Sequence, residues 1–352
     1  MSETTRDLCY LSAVEALGRF RAGDLSPVEL LEALIARAEE VEPTVNALCV
    51  TFYDEALAAA RKAEARYLAG DAEPRPLEGL PVAVKDELAV AGQPCAGGSL
   101  VYRDLVADES AIIAERLLAA GAIVHARTTT PEFSCAAFTH SRLWGVTRNP
   151  WNPAFAVGGS SGGSAAALAC GTAALATGSD IGGSIRIPSS FCGVVGFKPP
   201  HGRVPVEPPY NMDQYCHEGP MARTVADCAL FQNVLAGPDP RDLVCVAPKL
   251  EIPLDRLNGG GREGAADTGL DDLRIALVAV PGDYPVDDDV ARNTRAAGDA
   301  FREAGAVVDE VALEVRREDV SRAMMIHFGA LFGDDIAQEA EAHEELLTRY
   351  AV

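Results

Sequence analysis

The sequence predicts an α/β protein with a mixed, largely parallel central sheet surrounded by helices. Two strand–helix–strand alternations support this fold class, one over residues 80–126 and one over residues 273–311. Strands joined through a helix pair in parallel, with a right-handed crossover. A third observation is the alanine-rich apolar stretch over residues 164–175, which predicts a helix buried between the layers of the fold.

The domain organisation follows from breaks in composition. A length of 352 residues fits one large α/β domain or two small ones, and we expect one domain over residues 1–352. Within it, residues 1–75 form an N-terminal helical segment and residues 76–240 form the core. Residues 265–352 form an incomplete β-α-β unit with a helix. The run Asn258-Gly259-Gly260-Gly261 predicts a flexible surface loop.

The N-terminal segment carries a helix start at Ser26-Pro27, because serine is a favoured N-cap and proline suits the first turn. Apolar residues then recur at helical spacing, at Leu30, Leu31, Leu34 and Ile35. An alanine-rich helix is expected over residues 53–69, and a proline-rich connector over residues 73–76 ends the segment.

The rest of the chain alternates strands and helices. In the core, strands are expected at residues 80–85, 122–126 and 194–197, and helices at residues 110–120 and 164–175. In the C-terminal part, strands are expected at residues 273–280 and 306–311, and helices at residues 287–304 and 334–350. Aspartates at the start of the 287–304 helix suit the positive end of its dipole.

Composition and charge exclude several classes of function. A hydrophobic content of 48% indicates a globular chain, and a net charge of -22 argues against nucleic acid or an anionic membrane as a direct partner. The polar start at residues 1–7 is not a signal peptide, and the longest apolar stretch, residues 165–177, is too short to span a bilayer. We therefore expect a cytoplasmic protein.

The cysteines point away from a disulfide framework or a zinc site. There are nine, an odd number, and no CxxC pair occurs among them. Most lie in apolar runs, as small core residues do in a reducing compartment. Cys192 is a formal nucleophile candidate, but no histidine lies near it in sequence, so we expect it to belong to the core.

Two glycine-rich segments are the unusual feature of the chain: G-G-S-S-G-G-S at residues 158–164 and G-S-D-I-G-G-S-I-R-I-P at residues 178–188. A flexible linker would not need to adjoin a buried helix. A phosphate-binding loop would place lysine where Ser164 stands. A nucleophile elbow matches formally at Ser160 and Ser161, but needs a histidine partner. No obvious partner is provided by the downstream histidines, His201, His217, His327 and His343.

Hydrolysis of an amide by a serine nucleophile explains the two glycine-rich segments better than a linker, a phosphate-binding loop or a nucleophile elbow. The tetrahedral intermediate needs preorganised backbone donors, and consecutive glycines before Ser184 allow main-chain N–H groups to face one point. If Ser184 opens a helix, the helix dipole adds to this field. The donors expected on this reasoning are Ile181, Gly182, Gly183 and Ser184.

The serine also needs a base, and an amine is suitable where burial favours its neutral form. Lys85 ends the apolar strand at residues 80–85 and fits this role. A lysine at a strand end is otherwise commonly a solvated charge, and its position alone leaves both interpretations open.

These segments resemble the amidase signature family. Residues 80–86 resemble its lysine motif, residues 158–164 its Gly-Gly-Ser-Ser-Gly-Gly motif, and residues 178–188 its nucleophile segment. The resemblance is strong over about residues 20–235, and it continues through residues 128–133, 145–150, 192–199 and 219–223. It implies the amidase signature fold and an amidase that splits a carboxylic amide into an acid and ammonia or an amine, with no metal or organic cofactor.

Carried over residue by residue, the resemblance implies a Ser–Ser–Lys relay in the segment 76–240. Ser184 attacks the amide carbonyl and forms an acyl-enzyme, Ser160 relays the proton as the family's cis-serine, and Lys85 is the final acceptor. Ser161 supports the relay, and the peptide bond between Gly159 and Ser160 is cis. Water then hydrolyses the acyl-enzyme.

The resemblance also places Arg186 near the site. Its guanidinium either holds a substrate carboxylate or braces Asp180, and both interpretations remain open.

The sequence departs from the family pattern in three places. Family chains are usually longer, so the C-terminal part of the fold is expected to be truncated, with apolar surface that a homodimer would cover. Arg127 opens an Arg-Thr-Thr stretch in place of Lys-Thr-Asn. Asp86-Glu87 stands in place of Asp-Asn or Asp-Leu. We expect neither substitution to touch the proton relay, and both to alter a wall of the pocket.

Two alternatives accompany the amidase reading, in which the partner is a small-molecule amide. One is a glutaminase-type amidase subunit of a tRNA-dependent amidotransferase, which releases ammonia for a partner subunit. The other is a truncated, non-catalytic paralogue that retains the motifs by descent.

Overall fold

The computed structural model describes residues 3–70, 73–257, 270–271 and 273–352. The loop predicted at residues 258–261 lies outside these ranges. The chain divides into two compact units, Met1–Asn258 with Glu339–Val352, and Gly259–Gln338. Each unit is described by itself, and the expectation of a single domain stays a prediction.

The first unit is built from helices around a sheet. Its helices are α1 (Glu3–Cys9), α2 (Ala13–Ala22), α3 (Pro27–Val45), α4 (Tyr53–Ala69), α5 (Ile112–Ala119), α6 (Gly162–Cys170), α7 (Arg186–Cys192) and α8 (Val225–Leu235). Its strands are β1 (Leu48–Thr51), β2 (Pro81–Lys85), β3 (Ile123–Thr128), β4 (His140–Ser141), β5 (Gly145–Val146), β6 (Leu175–Asp180), β7 (Val195–Gly196) and β8 (His217–Ala222).

The central sheet has six strands in the order β1-β3-β2-β6-β8-β7. Strand β2 pairs in parallel with β3 and with β6, whereas β1, β8 and β7 pair antiparallel with their neighbours. The mixed α/β sheet predicted from the sequence is therefore confirmed, with two parallel and three antiparallel pairings among its six strands. Because β2 and β6 run in the same direction, their carboxyl ends, at Lys85 and Asp180, lie at the same edge of the sheet.

Local sequence signals set most element boundaries. Ser26 caps α3 with a complete capping box, in which its hydroxyl accepts from the N–H of Val28 and its own N–H donates to Glu29. Helix α4 has the predicted bounds. A strand at residues 48–51 was not expected, because four residues between two helices carry little periodicity, and β1 corrects the all-helical interpretation of that segment.

The buried helix predicted over residues 164–175 is shorter than expected. Helix α6 begins at Gly162 and ends at Cys170, where Gly171 adopts the left-handed conformation with φ 73°. Leu175 already belongs to β6. The burial prediction is confirmed, since nearly every residue of α6 is shielded from solvent. Its alanines pack against the sheet in a cluster with Ala83, Ala126 and Ala176.

The second unit contains the predicted β-α-β arrangement. Strand β9 (Arg274–Leu277) pairs in parallel with β10 (Val307–Glu310), and α9 (Asp288–Glu303) lies between them in sequence. Asp287 caps α9 by accepting from the N–H of Asp289.

The acidic helix predicted at residues 334–350 was wrong at both ends, because α10 spans Arg317–His343 and a 3₁₀ turn follows at Glu344–Leu346. The first half of α10 contains apolar residues, so the acidic pattern that predicted the helix did not extend back to its start at Arg317. None of the helices described here combines the length and apolarity needed to cross a bilayer.

The last residues of the chain pack against the loop that follows β3 in the first unit. The buried carboxylate of Glu132 accepts from the N–H and the hydroxyl of Thr348, at 2.6 and 2.5 Å. The hydroxyl of Tyr350 donates to the carbonyl of His140 and accepts from the N–H of Glu132. This loop leads to the glycine-rich segment at residues 158–164.

Candidate active site

Lys85 lies fully buried at the end of β2, with 1% of its surface exposed. Its Nζ lies 2.7 Å from Ser160 Oγ and 2.9 Å from Ser179 Oγ. Its backbone N–H donates to Thr177 Oγ1 in the adjacent strand β6. The structure thus brings together two of the predicted relay residues, which are far apart in sequence.

The peptide bond between Gly159 and Ser160 is cis, as the family resemblance implied. Gly159 packs directly against the backbone of Phe138, so a Cβ at this position would collide with main-chain atoms. Ser160 and Ser161 are both buried, and Ser161 is the residue that precedes α6. The glycines therefore allow this segment to pass between the loop at Phe138 and the sheet.

Ser184 lies beside the same segment. Its carbonyl accepts from the N–H of Ser161 at 3.1 Å, and this bond joins the two glycine-rich segments. Ser161 is further tied to β6, because its hydroxyl donates to the carbonyl of Ser179 and accepts from the N–H of Ser179. In the described part of the chain the Ser184 hydroxyl makes no hydrogen bond to another residue.

Asp180 organises the loop that carries Ser184. It is completely buried and accepts from the N–H groups of Gly183, Ile185 and Arg186, at 2.8, 3.1 and 3.2 Å. The N–H of Gly183 is thus already engaged. Of the four expected oxyanion donors, Ile181, Gly182 and Ser184 keep N–H groups without a partner among the described residues.

Two cations neutralise the carboxylate of Asp180. Arg186 binds it through Nε and Nη2 at 2.9 and 2.8 Å, and Lys198 Nζ lies at 3.1 Å. Burial alone would raise the pKa of Asp180, but the Arg186 hydrogen bonds and the two positive charges hold it at about 2. Arg186 therefore braces Asp180, which is one of the two roles expected for it. Lys198 was missed, because nothing in the sequence signals an ion pair across 18 residues.

The position of Glu87 contradicts the expectation that substitutions relative to the family pattern do not touch the proton relay. Its Oε1 lies 2.9 Å from Lys85 Nζ. The chain turns after β2, with the N–H of Leu88 donating to the carbonyl of Lys85, and the turn brings residue 87 back toward the amine. Burial would raise the pKa of Glu87, but the charge of Lys85 and hydrogen bonds from Ser134, Ser179 and Lys85 lower it.

Arg127 also touches the lysine turn. It is fully buried in β3, and its Nη2 donates to the carbonyls of Lys85, Asp86 and Leu88. These bonds go to main-chain carbonyls, so Arg127 fixes the backbone that carries the Lys85 amine. A sequence shows neither contact, because both depend on where side chains point after a turn.

Glu218 is a further carboxyl group near the relay that sequence reasoning missed. It lies on β8 directly opposite Ser179 in the antiparallel register. Burial, with the charges of Glu207 and Glu87, raises the pKa of Glu218 well above its ordinary value. Its Oε2 has no hydrogen-bond partner within the described ranges.

Comparison with known proteins agrees with this geometry. The model of the amidase family matches residues 29–346. A glutamyl-tRNA(Gln) amidotransferase subunit from Chloroflexus aurantiacus is 38% identical over 314 residues, which cover 87% of this chain and 61% of the relative. The chain therefore spans less than two thirds of that relative's length.

Two solved structures are similar in fold and sequence. A bacterial aryl acylamidase of the amidase signature family superposes with a TM-score of 0.84 at 29% identity, over 97% of this chain and 71% of that one. A 6-aminohexanoate cyclic dimer hydrolase bound to its substrate superposes with a TM-score of 0.79 at 32% identity, over 98% and 70%. The chain belongs to the amidase family of amidase signature enzymes.

Proposed function

We propose that the protein hydrolyses a carboxylic amide through an acyl-enzyme on Ser184, with Ser160 and Lys85 as the proton relay. The observation that carries this proposal is the 2.7 Å contact between Lys85 Nζ and Ser160 Oγ, both of which are buried. A buried amine in contact with a hydroxyl is an arrangement suited to general base catalysis.

The proposed reaction has two halves. In the first, Ser184 Oγ attacks the amide carbonyl, and its proton passes through Ser160 to Lys85. The proton then returns by the same path to the leaving nitrogen, the C–N bond breaks, and ammonia or an amine departs. In the second half, water gives up a proton to the relay and attacks the acyl group, and the acid leaves as the proton returns to Ser184.

The loop around Ser184 supports the negative charge that develops on the carbonyl oxygen. The open N–H groups of Ile181, Gly182 and Ser184 are the proposed donors. A single such donor contributes about 3–4 kcal/mol in the transition state. Asp180 keeps this loop in one conformation, because five of its hydrogen bonds come from Gly183, Ile185 and Arg186.

Labelling with a fluorophosphonate tests the nucleophile without knowledge of the substrate. We expect one adduct in folded protein, on the peptide that contains Ser184, and none in a Ser184→Ala variant. A screen of aliphatic, aryl, peptide and carbamoyl amides for released ammonia or amine then identifies the substrate class. An unlabelled Ser184 in folded protein would favour the non-catalytic alternative.

The curated relatives favour a second candidate function. The glutamyl-tRNA(Gln) amidotransferase subunit, at 38% identity, is by name one part of an assembly. In this candidate the substrate amide is that of glutamine, and the ammonia passes to a partner protein. The sequence-based expectation named only a small-molecule amide and a second copy of the chain as partners. In this candidate a different protein would be a partner as well. Ammonia release from glutamine, compared with other amides at equal concentration, separates the two candidates.

A further inference from the structure

We infer that Glu87 is a positioning residue of the proton relay: it directs the amine of Lys85 toward Ser160 and stabilises the ammonium that forms when Lys85 accepts the proton. This inference rests on the proposed function. No family motif assigns such a role, since the position of Glu87 departs from the family pattern.

The geometry around Lys85 Nζ supports the positioning role. Ser160 Oγ, Ser179 Oγ and Glu87 Oε1 lie at 2.7, 2.9 and 2.9 Å from this nitrogen. An ammonium has three N–H donors, and three acceptors are present. When the amine is neutral it keeps two N–H groups. If these donate to Glu87 and Ser179, the lone pair points at Ser160, from which the proton arrives.

The charge of Glu87 supports the stabilising role. Lys85 is fully buried and three quarters of the Glu87 side chain is shielded, at 25% exposure. A carboxylate at 2.9 Å in such surroundings forms a close ion pair with the ammonium once Lys85 has accepted the proton. The lowered pKa of Glu87 agrees with an ionised carboxylate at neutral pH.

The carboxylate of Glu87 is itself held in place. The hydroxyls of Ser134 and Ser179 lie close enough to help lower the pKa of Glu87. Ser134 and the preceding Phe133 have φ values of 54° and 53°, in the left-handed region that residues other than glycine seldom adopt. Thr130 Oγ1 lies 2.8 Å from Ser134 Oγ and anchors this turn from the other side. The unusual backbone therefore presents a donor to Glu87.

Other ionisable groups surround the pair without touching the amine. They are Glu218 on β8, Cys216 just before β8, Glu207, whose charge acts on Glu218, Arg127 on β3, and Asp86 and Cys95 in the chain after β2. Burial raises the pKa of Glu218 well above its ordinary value, whereas that of Glu87 is lowered. A Glu218→Gln variant therefore serves to separate the effect of Glu87 on Lys85 from that of Glu218.

The test is the pH dependence of the rate at which a fluorophosphonate labels Ser184. In the parent protein we expect the rate to rise with pH along an acid limb as the relay loses its proton. Glu87→Gln removes the negative charge, so this limb moves to lower pH by about 1 pH unit or more. The plateau rate falls about tenfold, because the ammonium loses a charged partner.

Two further variants complete the experiment. Glu87→Asp keeps the charge one methylene farther away, so its limb lies between those of the parent and Glu87→Gln. This variant also tests the inference should Glu87→Gln fail to fold. Glu218→Gln is the matched control, and we expect it to leave the limb within about 0.3 pH units of the parent, a shift small against that expected for Glu87→Gln.

The outcomes separate the inference from the function on which it rests. If the parent shows an acid limb but neither Glu87 variant moves it, the inference is wrong and the proposed function stands. A uniform loss of rate with an unmoved limb has the same meaning, since it indicates a purely structural role. If Ser184 is not labelled at any pH, the proposed function is wrong and the inference falls with it.

Discussion

Arg186 and Asp180 form a two-point ion pair, with Nε on Oδ2 at 2.9 Å and Nη2 on Oδ1 at 2.8 Å. The carboxylate is completely buried, although 55% of the Arg186 side chain is exposed. Because three backbone N–H groups of the nucleophile loop bind the same carboxylate, this pair connects the protein surface to the conformation of the residues around Ser184.

Replacing Asp180 by asparagine is expected to destabilise the fold in a pH-dependent way. The pKa of Asp180 is about 2 against an ordinary 3.8, so its stabilising contribution is complete above about pH 4 and is lost as the pH falls toward 2. The shift corresponds to about 2 kcal/mol. Urea unfolding of the parent and of Asp180→Asn from pH 2 to pH 6 measures this difference. A constant gap across that range would contradict the prediction.

Replacing Lys85 by alanine is expected to abolish amide turnover. Removal of a general base typically lowers the rate about 10²–10⁴-fold, and the cavity left by a buried lysine offers no substitute acceptor. Lys62→Ala, at an exposed position of α4, is the matched control and should retain full activity. Circular dichroism confirms that both variants are folded. A Lys85→Ala variant that keeps a near-parental rate would exclude the proposed relay.

Glu42, at the end of α3, is expected to make stability fall as the pH rises. Burial raises its pKa to about 7, although the N–H groups of Leu48 and Ala47 donate to Oε2 and oppose the shift. The folded state therefore holds its proton more tightly than the unfolded state. The protein should lose about 3 kcal/mol between pH 4.5 and pH 8 through this group.

The Glu42→Gln variant tests this assignment, since it cannot ionise. We expect its free energy of unfolding to exceed that of the parent at pH 8 and to approach it near pH 4. Glu39→Gln, on the exposed face of the same helix, serves as the control and should follow the parent at every pH. Equal pH dependence in Glu42→Gln and the parent would count against the raised pKa.

Glu132 is expected to control the order of the last residues of the chain. Glu132→Ala leaves the buried N–H and hydroxyl of Thr348, and the hydroxyl of Ser99, without their acceptor. Each unsatisfied donor costs about 1–3 kcal/mol. Amide hydrogen exchange over residues 344–351 should therefore accelerate at least tenfold relative to the parent. Unchanged protection of this segment would show that the contacts to Tyr350 suffice.

The sequence was informative where a signal is local. A serine before a proline marked the start of α3, and short continuous apolar runs located β2 and β3. The glycine-rich motifs indicated Ser160 and, through the family resemblance, the cis bond before it. Prediction from the sequence failed where a structural feature depends on a contact with a residue distant in sequence, or on the direction in which a side chain points. Gly171 ended α6 early, although alanine continues beyond it, and the four residues of β1 become a strand only because β3 lies beside them.

Three of the site residues that the sequence did not reveal share one physical property. Glu87, Lys198 and Ser179 act through charges or hydroxyls whose positions depend on a turn or on strand register. Spacing alone carries no such information. Each of them contacts a residue that the motifs did identify, namely Lys85 or Asp180.

The parallel pairing of β2 with β6 bears on how this enzyme class can be redesigned. The register that matches Ala83 with Ala176 determines the separation between the amine at the end of one strand and the hydroxyl and carboxylate at the end of the other. The two serines of the proposed proton path, Ser160 and Ser184, lie in loops beyond that sheet edge. Protein engineers who wish to admit a different amide would therefore keep the two strands and residues 158–164 and 178–188 unchanged, and vary other loops.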